Sequence, residues 1–168
     1  AHNGEINTLK GNYNWMKVHE QEMDSPLFED MENLRPVIPA GSSDSAALDS
    51  VFELLNISGQ PAPLAKLMLI PDAWSKKNKT LPKDHQQLFN FLNSTMEPWD
   101  GPAAIAGTDN EWVIAATDRN GLRPMRYTIT KDKILCAGSE TGMVELDEKK
   151  IITKGRLGPG EIIGVRIE

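Results

Sequence analysis

Apolar side chains recur at helical spacing over the first part of the chain and at strand spacing over the rest. Leu9, Tyr13, Met16 and Met23 follow a period near 3.6, and no proline interrupts them, which predicts a helix beginning just after Thr8. From Asp24 to Gly41 the texture changes, because Ser25-Pro26, Pro36 and Pro39 mark a connecting loop, with one short strand expected around Val37. Leu48, Val51, Phe52 and Leu55 stand at i, i+3, i+4 and i+7. Ser42, Ser43 and Asp44 are cap candidates for that helix, Asp44 sits at its start, and Gly59 and Pro61 end it. Two more helices are expected, over residues 62–70 and through Leu88, Phe91, Leu92 and Thr95, with a polar loop at residues 75–80 between them.

After Pro98 the period changes. Residues 103–106, 112–116, 125–130 and 134–137 are short β-type runs separated by Asp109-Asn110, Asn120-Gly121 and Lys131-Asp132. Met125, Tyr127 and Ile129 alternate with Arg126, Thr128 and Thr130, the pattern of an antiparallel meander with one wet face. Ile151-Ile152 and residues 162–167 add two strands around a glycine-rich loop at 155–160. Helices followed by antiparallel strands predict an α+β fold class rather than alternating βαβ units.

At 168 residues the chain is the size of one domain, and 39% hydrophobic with 25% charged residues places it among ordinary globular sequences rather than disordered or coiled-coil ones. A net charge of −6 argues against partners held by phosphate neutralisation, so neither nucleic acid nor an acidic membrane surface is expected. The acidity is uneven, with 10 acids against three bases in residues 1–60, and reads as a solvated face. One cysteine, Cys136, excludes an internal disulfide, and no apolar run approaches a membrane span, so a soluble, reducing, cytoplasmic setting is expected. Without an initiator Met or a signal-peptide core at Ala1, the chain is expected to begin inside a longer protein.

Several motifs fail as chemistry. His19-Glu20 opens like a zinc-protease pattern, but Met23 stands where the second helical ligand is required, and no metal site follows. Gly158-Pro159-Gly160 precedes a strand rather than the helix a dinucleotide site needs, so it reads as a turn. Cys136 lies in an apolar run and reads as a structural thiol, and His2, His19 and His85 lack a nucleophile partner by spacing. Trp15, Trp74, Trp99 and Trp112 read as core or interface residues. Asn3-Gly4 by itself is a turn dipeptide.

Context changes the reading of that dipeptide. The stretches Ala1-His2-Asn3-Gly4-Glu5-Ile6-Asn7-Thr8, Gly41-Ser42-Ser43-Asp44-Ser45, Trp99-Asp100-Gly101-Pro102, Asp118-Arg119-Asn120-Gly121-Leu122-Arg123-Pro124 and Gly155-Arg156-Leu157-Gly158-Pro159-Gly160-Glu161 occur in this order. Together they resemble the amidotransferase domain of glutamate synthase large subunits, and the resemblance spans essentially the whole chain. It implies a class II glutamine amidotransferase of N-terminal-nucleophile type, an αββα sandwich that releases ammonia from glutamine for transfer to 2-oxoglutarate elsewhere in the parent enzyme.

By the same resemblance, Asn3 and Gly4 match the family's oxyanion-hole pair and Asp44 its ligand for the substrate ammonium, with a helix cap as the structural alternative for Asp44. The chemistry suits these roles: an amide NH₂ and a glycine N–H can stabilise a developing oxyanion, and a carboxylate can fix an ammonium. The motif at residues 118–124 reads as structural, a turn closing two strands with charges paired across it. The family's nucleophile is an N-terminal cysteine and its substrate carboxylate is held by an arginine. Both belong to an upstream portion, so residues 1–168 are expected to be the C-terminal part of the domain, inactive alone. FMN, an iron–sulfur cluster and an electron-donating subunit or domain are implied elsewhere in the parent, with no cofactor in this chain. Partners implied are glutamine and glutamate and the remainder of the large subunit. The competing reading is a non-catalytic binding or scaffolding module derived from that domain.

Overall fold

The computed structural model describes residues 1–73 and 81–167; Trp74 and the polar loop expected at 75–80 lie outside the described residues. Among the described residues there are four α-helices, α1 (Leu9–Glu22), α2 (Asp44–Ile57), α3 (Ala62–Leu69) and α4 (Lys83–Thr95), and seven strands, β1 (His2–Gly4), β2 (Ala103–Thr108), β3 (Trp112–Thr117), β4 (Arg126–Thr130), β5 (Leu135–Gly138), β6 (Ile151–Arg156) and β7 (Ile162–Arg166). The α+β reading holds, with helices in the first half and antiparallel strands in the second.

Helix α1 starts directly after Thr8. The Thr8 hydroxyl caps no backbone N–H of the helix; it donates to the Asn12 side-chain oxygen at 2.6 Å and accepts the Asp100 N–H at 2.9 Å. Asn12, buried one turn on, donates from its amide to the Pro98 carbonyl at 3.2 Å, which pins α1 to the chain entering β2. Helix α2 is capped by Ser43, whose Oγ accepts the Ala46 N–H at 3.2 Å. Its Ala47, Leu48, Val51 and Leu55 are buried at helical spacing, and full burial of a Val or Leu side chain contributes roughly 1.5–3 kcal/mol.

One expectation about the first half needs correction. The strand expected around Val37 is absent; its N–H is instead taken by the Glu20 carboxylate at 2.7 Å, so α1 supplies the partner a ladder would have given. Helix α4 forms through the expected residues, over Lys83–Thr95, and buries Phe89 and Leu92 while Leu88 and Phe91 stay exposed.

The strands do not form one meander. They make a four-stranded sheet, β1-β2-β3-β7, and a three-stranded sheet, β5-β4-β6, all pairs antiparallel. One face of the larger sheet, carrying Ala103, Ile105, Ala116 and Ile162, packs on α2 and α3. Its other face, carrying Ala104, Ala115 and Ile163, packs on Tyr127 of the smaller sheet with Met125 and Leu157. The layer order is therefore α, β, β, part of the sandwich expected from the sequence. It explains why β3 is buried on both faces at Ile114, Ala115 and Ala116. The supposedly wet face of β4 is also covered, since Thr128 and Thr130 are buried. Met143 from the segment after β5 packs over Gly138 on the smaller sheet, and it lines the same hollow as Thr128.

Candidate functional site

Asn3 and Gly4 lie on β1, an outer strand of the larger sheet, paired with Ala104 and Ala103. They are not a free turn. Ala1 and Ala106 exchange hydrogen bonds in both directions, at 2.7 and 2.9 Å, and Glu5 donates to Pro102 at 2.9 Å. In an antiparallel ladder the bonded pairs alternate, so Gly4 occupies a non-bonded position and its N–H points away from β2, off the edge of the sheet. Glycine is required there by close approach, because a Cβ on Gly4 would overlap the Pro102 carbonyl oxygen. Gly101 reciprocates, since a Cβ on it would overlap the Glu5 carbonyl. Asp100 completes the junction by accepting the Asn7 N–H at 2.8 Å. Two stretches almost a hundred residues apart thus interlock through their glycines.

The Asn3 side chain projects on the side of Ala104, toward the second sheet, and its Oδ1 accepts a hydrogen bond from Nη2 of Arg123. A guanidinium can only donate, so the amide must present oxygen to it and turn its NH₂ the other way. Among the described residues no acceptor engages that NH₂. Arg123 is placed by Asp118, a carboxylate with 1% exposure that accepts four backbone N–H groups: Ala103 at 3.1 Å, Asn120 and Leu122 at 3.0 Å, and Arg123 at 2.9 Å. Burial would raise the Asp118 carboxyl, but the N–H groups of Arg123, Leu122, Ala103 and Asn120 outweigh it and hold the group below its ordinary value.

This revises the reading of residues 118–124. The segment carries the chain from β3 in one sheet to β4 in the other, so it closes no hairpin. Asp118 is satisfied by backbone N–H groups, and the ion pair that the segment makes among the described residues, Arg119 with Asp100 at 3.7 Å, is loose and partly exposed. Asp118 and Arg123 are the site residues that sequence reasoning passed over. The signal was the motif itself, whose role could not be seen without knowing what it reaches.

Asp44 is the first residue of α2, and Ser43, not Asp44, caps the helix. The Asp44 carboxylate reaches back to the chain just after β1: Oδ2 accepts the Ile6 N–H at 2.9 Å, and Oδ1 accepts the Ser45 N–H at 2.7 Å. The Ile6 hydrogen bond is the largest influence holding its carboxyl below the usual range. The Ser45 hydroxyl is a second, longer donor to Oδ1 at 3.5 Å, whereas Oδ2, with the Ile6 N–H as its one partner among the described residues, keeps a lone pair for a further donor. On the other side of Asn3-Gly4, His2 Nδ1 meets Ser45 Oγ at 2.8 Å. Burial lowers the His2 pKa, with Asp44 opposing it and Arg123 acting in the same direction as burial. The start of α2 therefore grips the chain both before Asn3-Gly4, at His2, and after it, at Ile6.

Other candidates separate from this locus. His19 pairs with Glu97 at 2.7 Å, and Cys136 sits on β5 in the other sheet. The turn at Gly158 to Glu161 is closed by its own Glu161, which accepts the Gly158 N–H at 2.6 Å, and so offers no phosphate cradle. Among the described residues no three His, Cys, Asp or Glu side chains gather as a metal site, and no helix is long and apolar enough to cross a membrane. A cavity of about 1160 Å³ lies on the helix side of β1 and β2, lined by His2, Ser45, Phe52 and Ile105; Asn3 points to the opposite face.

The family profile described as "Glutamine amidotransferases class-II" matches residues 1–168. The large chain of a glutamate synthase [NADPH] from Azospirillum brasilense is 57% identical over 169 residues, covering 100% of this chain and 11% of that protein. A glutamate synthase [NADH] from Saccharomyces cerevisiae is 46% identical, covering 96% of this chain and 8% of its own length. A ferredoxin-dependent glutamate synthase from Cyanidium caldarium is also 46% identical, over 97% of this chain and 11% of its own. The chain thus spans about a tenth of the length of these relatives. Among solved structures, glutamine phosphoribosylpyrophosphate amidotransferase from B. subtilis is similar at a TM-score of 0.43 and 19% identity, covering 99% of this chain and 26% of that one.

Proposed function

The chain belongs to the class-II glutamine amidotransferases, and from that membership we propose that it forms part of the glutaminase site of a glutamate synthase large chain, hydrolysing glutamine to glutamate and ammonia. Asn3 and Gly4 supply the oxyanion hole and Asp44 holds the substrate ammonium. The observation that carries this reading is the pair of open donors one residue apart, the outward Gly4 N–H and the Asn3 NH₂ turned away from Arg123.

A thiolate attacks the amide carbon, a C–S bond forms, and the carbonyl π pair moves onto oxygen. The Gly4 N–H and Asn3 NH₂ stabilise that charge without reorganising, because β1 and Arg123 hold them. Collapse expels ammonia once its nitrogen has gained a proton, and water then cleaves the thioester to glutamate. Throughout, Asp44 holds the α-ammonium by charge-assisted hydrogen bonds. Cys136 is remote in the second sheet, so the thiolate comes from outside residues 1–168, and this chain alone releases no ammonia. The ammonia passes to 2-oxoglutarate in another domain, where FMN and an iron–sulfur cluster would act. Relatives named for NADPH, NADH and ferredoxin match the same residues, which supports placing the electron donor outside this segment.

The test is Asn3→Ala in a full-length synthase carrying this domain, assayed with glutamine and with ammonia as nitrogen donor. Losing one oxyanion donor should lower kcat with glutamine on the order of 10²–10³-fold and leave the ammonia-dependent rate intact. Near-normal glutamine turnover would remove Asn3 from the mechanism and favour a non-catalytic module.

A further inference from the structure

We infer that Arg123 is a positioning residue for glutamine hydrolysis: its guanidinium locks the Asn3 amide with the NH₂ facing the substrate, and Asp118 fixes Arg123 in place. The inference rests on Asn3 acting as an oxyanion donor, and extends that role to a residue 120 positions away.

An exposed asparagine side chain can turn about its terminal torsion, which is broad and roughly two-fold. With the oxygen facing the substrate carbonyl, the group would repel the oxyanion it is meant to stabilise. A donor-only partner removes the ambiguity, and arginine is the strictest such partner because it stays charged at any working pH and accepts nothing. Arg123 donates to Asn3 Oδ1, so the amide nitrogen is the atom left to act.

Arg123 is itself held by its backbone. Its N–H is one of four that converge on the buried Asp118, and the Asp118 N–H in turn bonds the Ala103 carbonyl at 2.8 Å. Ala103 is the β2 residue paired with Gly4. The route from Gly4 through Ala103, Asp118 and Arg123 to Asn3 is therefore a closed loop of pairings around the two donors. Because Asp118 binds the Arg123 main chain, the side chain can be changed without removing the hydrogen bond that shapes the turn.

The experiment is a double-mutant cycle in a full-length synthase with Arg123→Met, Asn3→Ala and the pair, together with Arg123→Lys. Arg123→Met should lower kcat for glutamine roughly 10–100-fold, the range found when outer partners of ligating groups are lost. KM for glutamine, the ammonia-dependent rate and the denaturation midpoint should stay near wild type, and Arg123→Lys should recover part of the loss. The pair should be no slower than Asn3→Ala alone, since an amide that is gone cannot be misdirected. Multiplicative losses in the pair would overturn the proposal, as would an Arg123→Met enzyme with normal kcat beside a slow Asn3→Ala enzyme. If Asn3→Ala is itself harmless, the oxyanion reading fails and this inference falls with it.

Discussion

Asp118 and Ala103 are joined twice: the Ala103 N–H donates to the Asp118 carboxylate at 3.1 Å, and the Asp118 N–H donates to the Ala103 carbonyl at 2.8 Å. One acidic residue thereby continues the β2–β3 pairing and also gathers the turn that delivers Arg123.

Asp118→Ala should therefore be among the most damaging single changes. It leaves the N–H groups of Ala103, Asn120, Leu122 and Arg123 without their acceptor, and hydrogen bonds to charged groups contribute about 1.5–3 kcal/mol each before relaxation and water recover part of that. The expected loss is more than about 3 kcal/mol in urea denaturation. A loss below about 1 kcal/mol would mean that the turn stands without its hub.

The glycines separate by what surrounds them. Gly4→Ala should displace β1 from the Pro102–Ala103 backbone and lower both stability and glutamine turnover in a full-length enzyme. Gly11, inside α1 with open space around it, should behave oppositely, and Gly11→Ala should stabilise by roughly 0.5–1 kcal/mol. Thermal midpoints of the two variants moving in the same direction would contradict the close-approach argument.

Lys66 is 2% exposed, and its Nζ donates to the Gly160 carbonyl at 2.8 Å. Burial lowers its pKa to about 8 against the attraction of Asp72 and Asp118. Between that value and the 10.5 of the unfolded chain, the unfolded state binds more protons, so stability should rise with pH across this window. The full span corresponds to about 3 kcal/mol. Subtracting the stability of Lys66→Met from that of the native sequence, at several values from pH 7 to about 10.5, isolates this contribution from the other groups that titrate there. A flat difference would show that Lys66 is buried without a shifted proton.

Asp44→Asn removes the charge offered to the substrate ammonium and should raise KM for glutamine roughly 10–100-fold, from a lost charge-assisted bond of about 1.5–3 kcal/mol. Because the folded carboxyl lies below its ordinary 3.8, the charge is present at neutral pH and is lost only as pH falls through that lowered value. KM should thus show no Asp44-dependent rise from about pH 7 to pH 5. Equal loss of glutamine-dependent and ammonia-dependent synthesis in Asp44→Asn would assign it to the fold through its bond to Ile6.

Much of this protein was determined locally and was legible in the sequence. Helix α1 begins just after Thr8, α2 begins at the Ser43 cap and ends before Gly59, and α3 begins after Pro61, because capping and backbone restriction act over a few residues. The six strands after Pro98 follow the short β-type runs between their turn residues, and the family is carried by contiguous motifs. What the tertiary structure alone decided is non-local. Period-2 alternation says that Thr128 and Ile129 face opposite ways, but only the packing of a second segment on that face says that Thr128 is buried. Likewise, nothing within residues 118–124 indicates that Asp118 would bind Ala103 or that Arg123 would meet Asn3, since those contacts exist only after β2 has paired with β3 and β1 with β2. Hydrophobic periodicity specifies which side of an element is dry, whereas the partner of a polar side chain is chosen by whichever unsatisfied group the packing brings within about 3 Å.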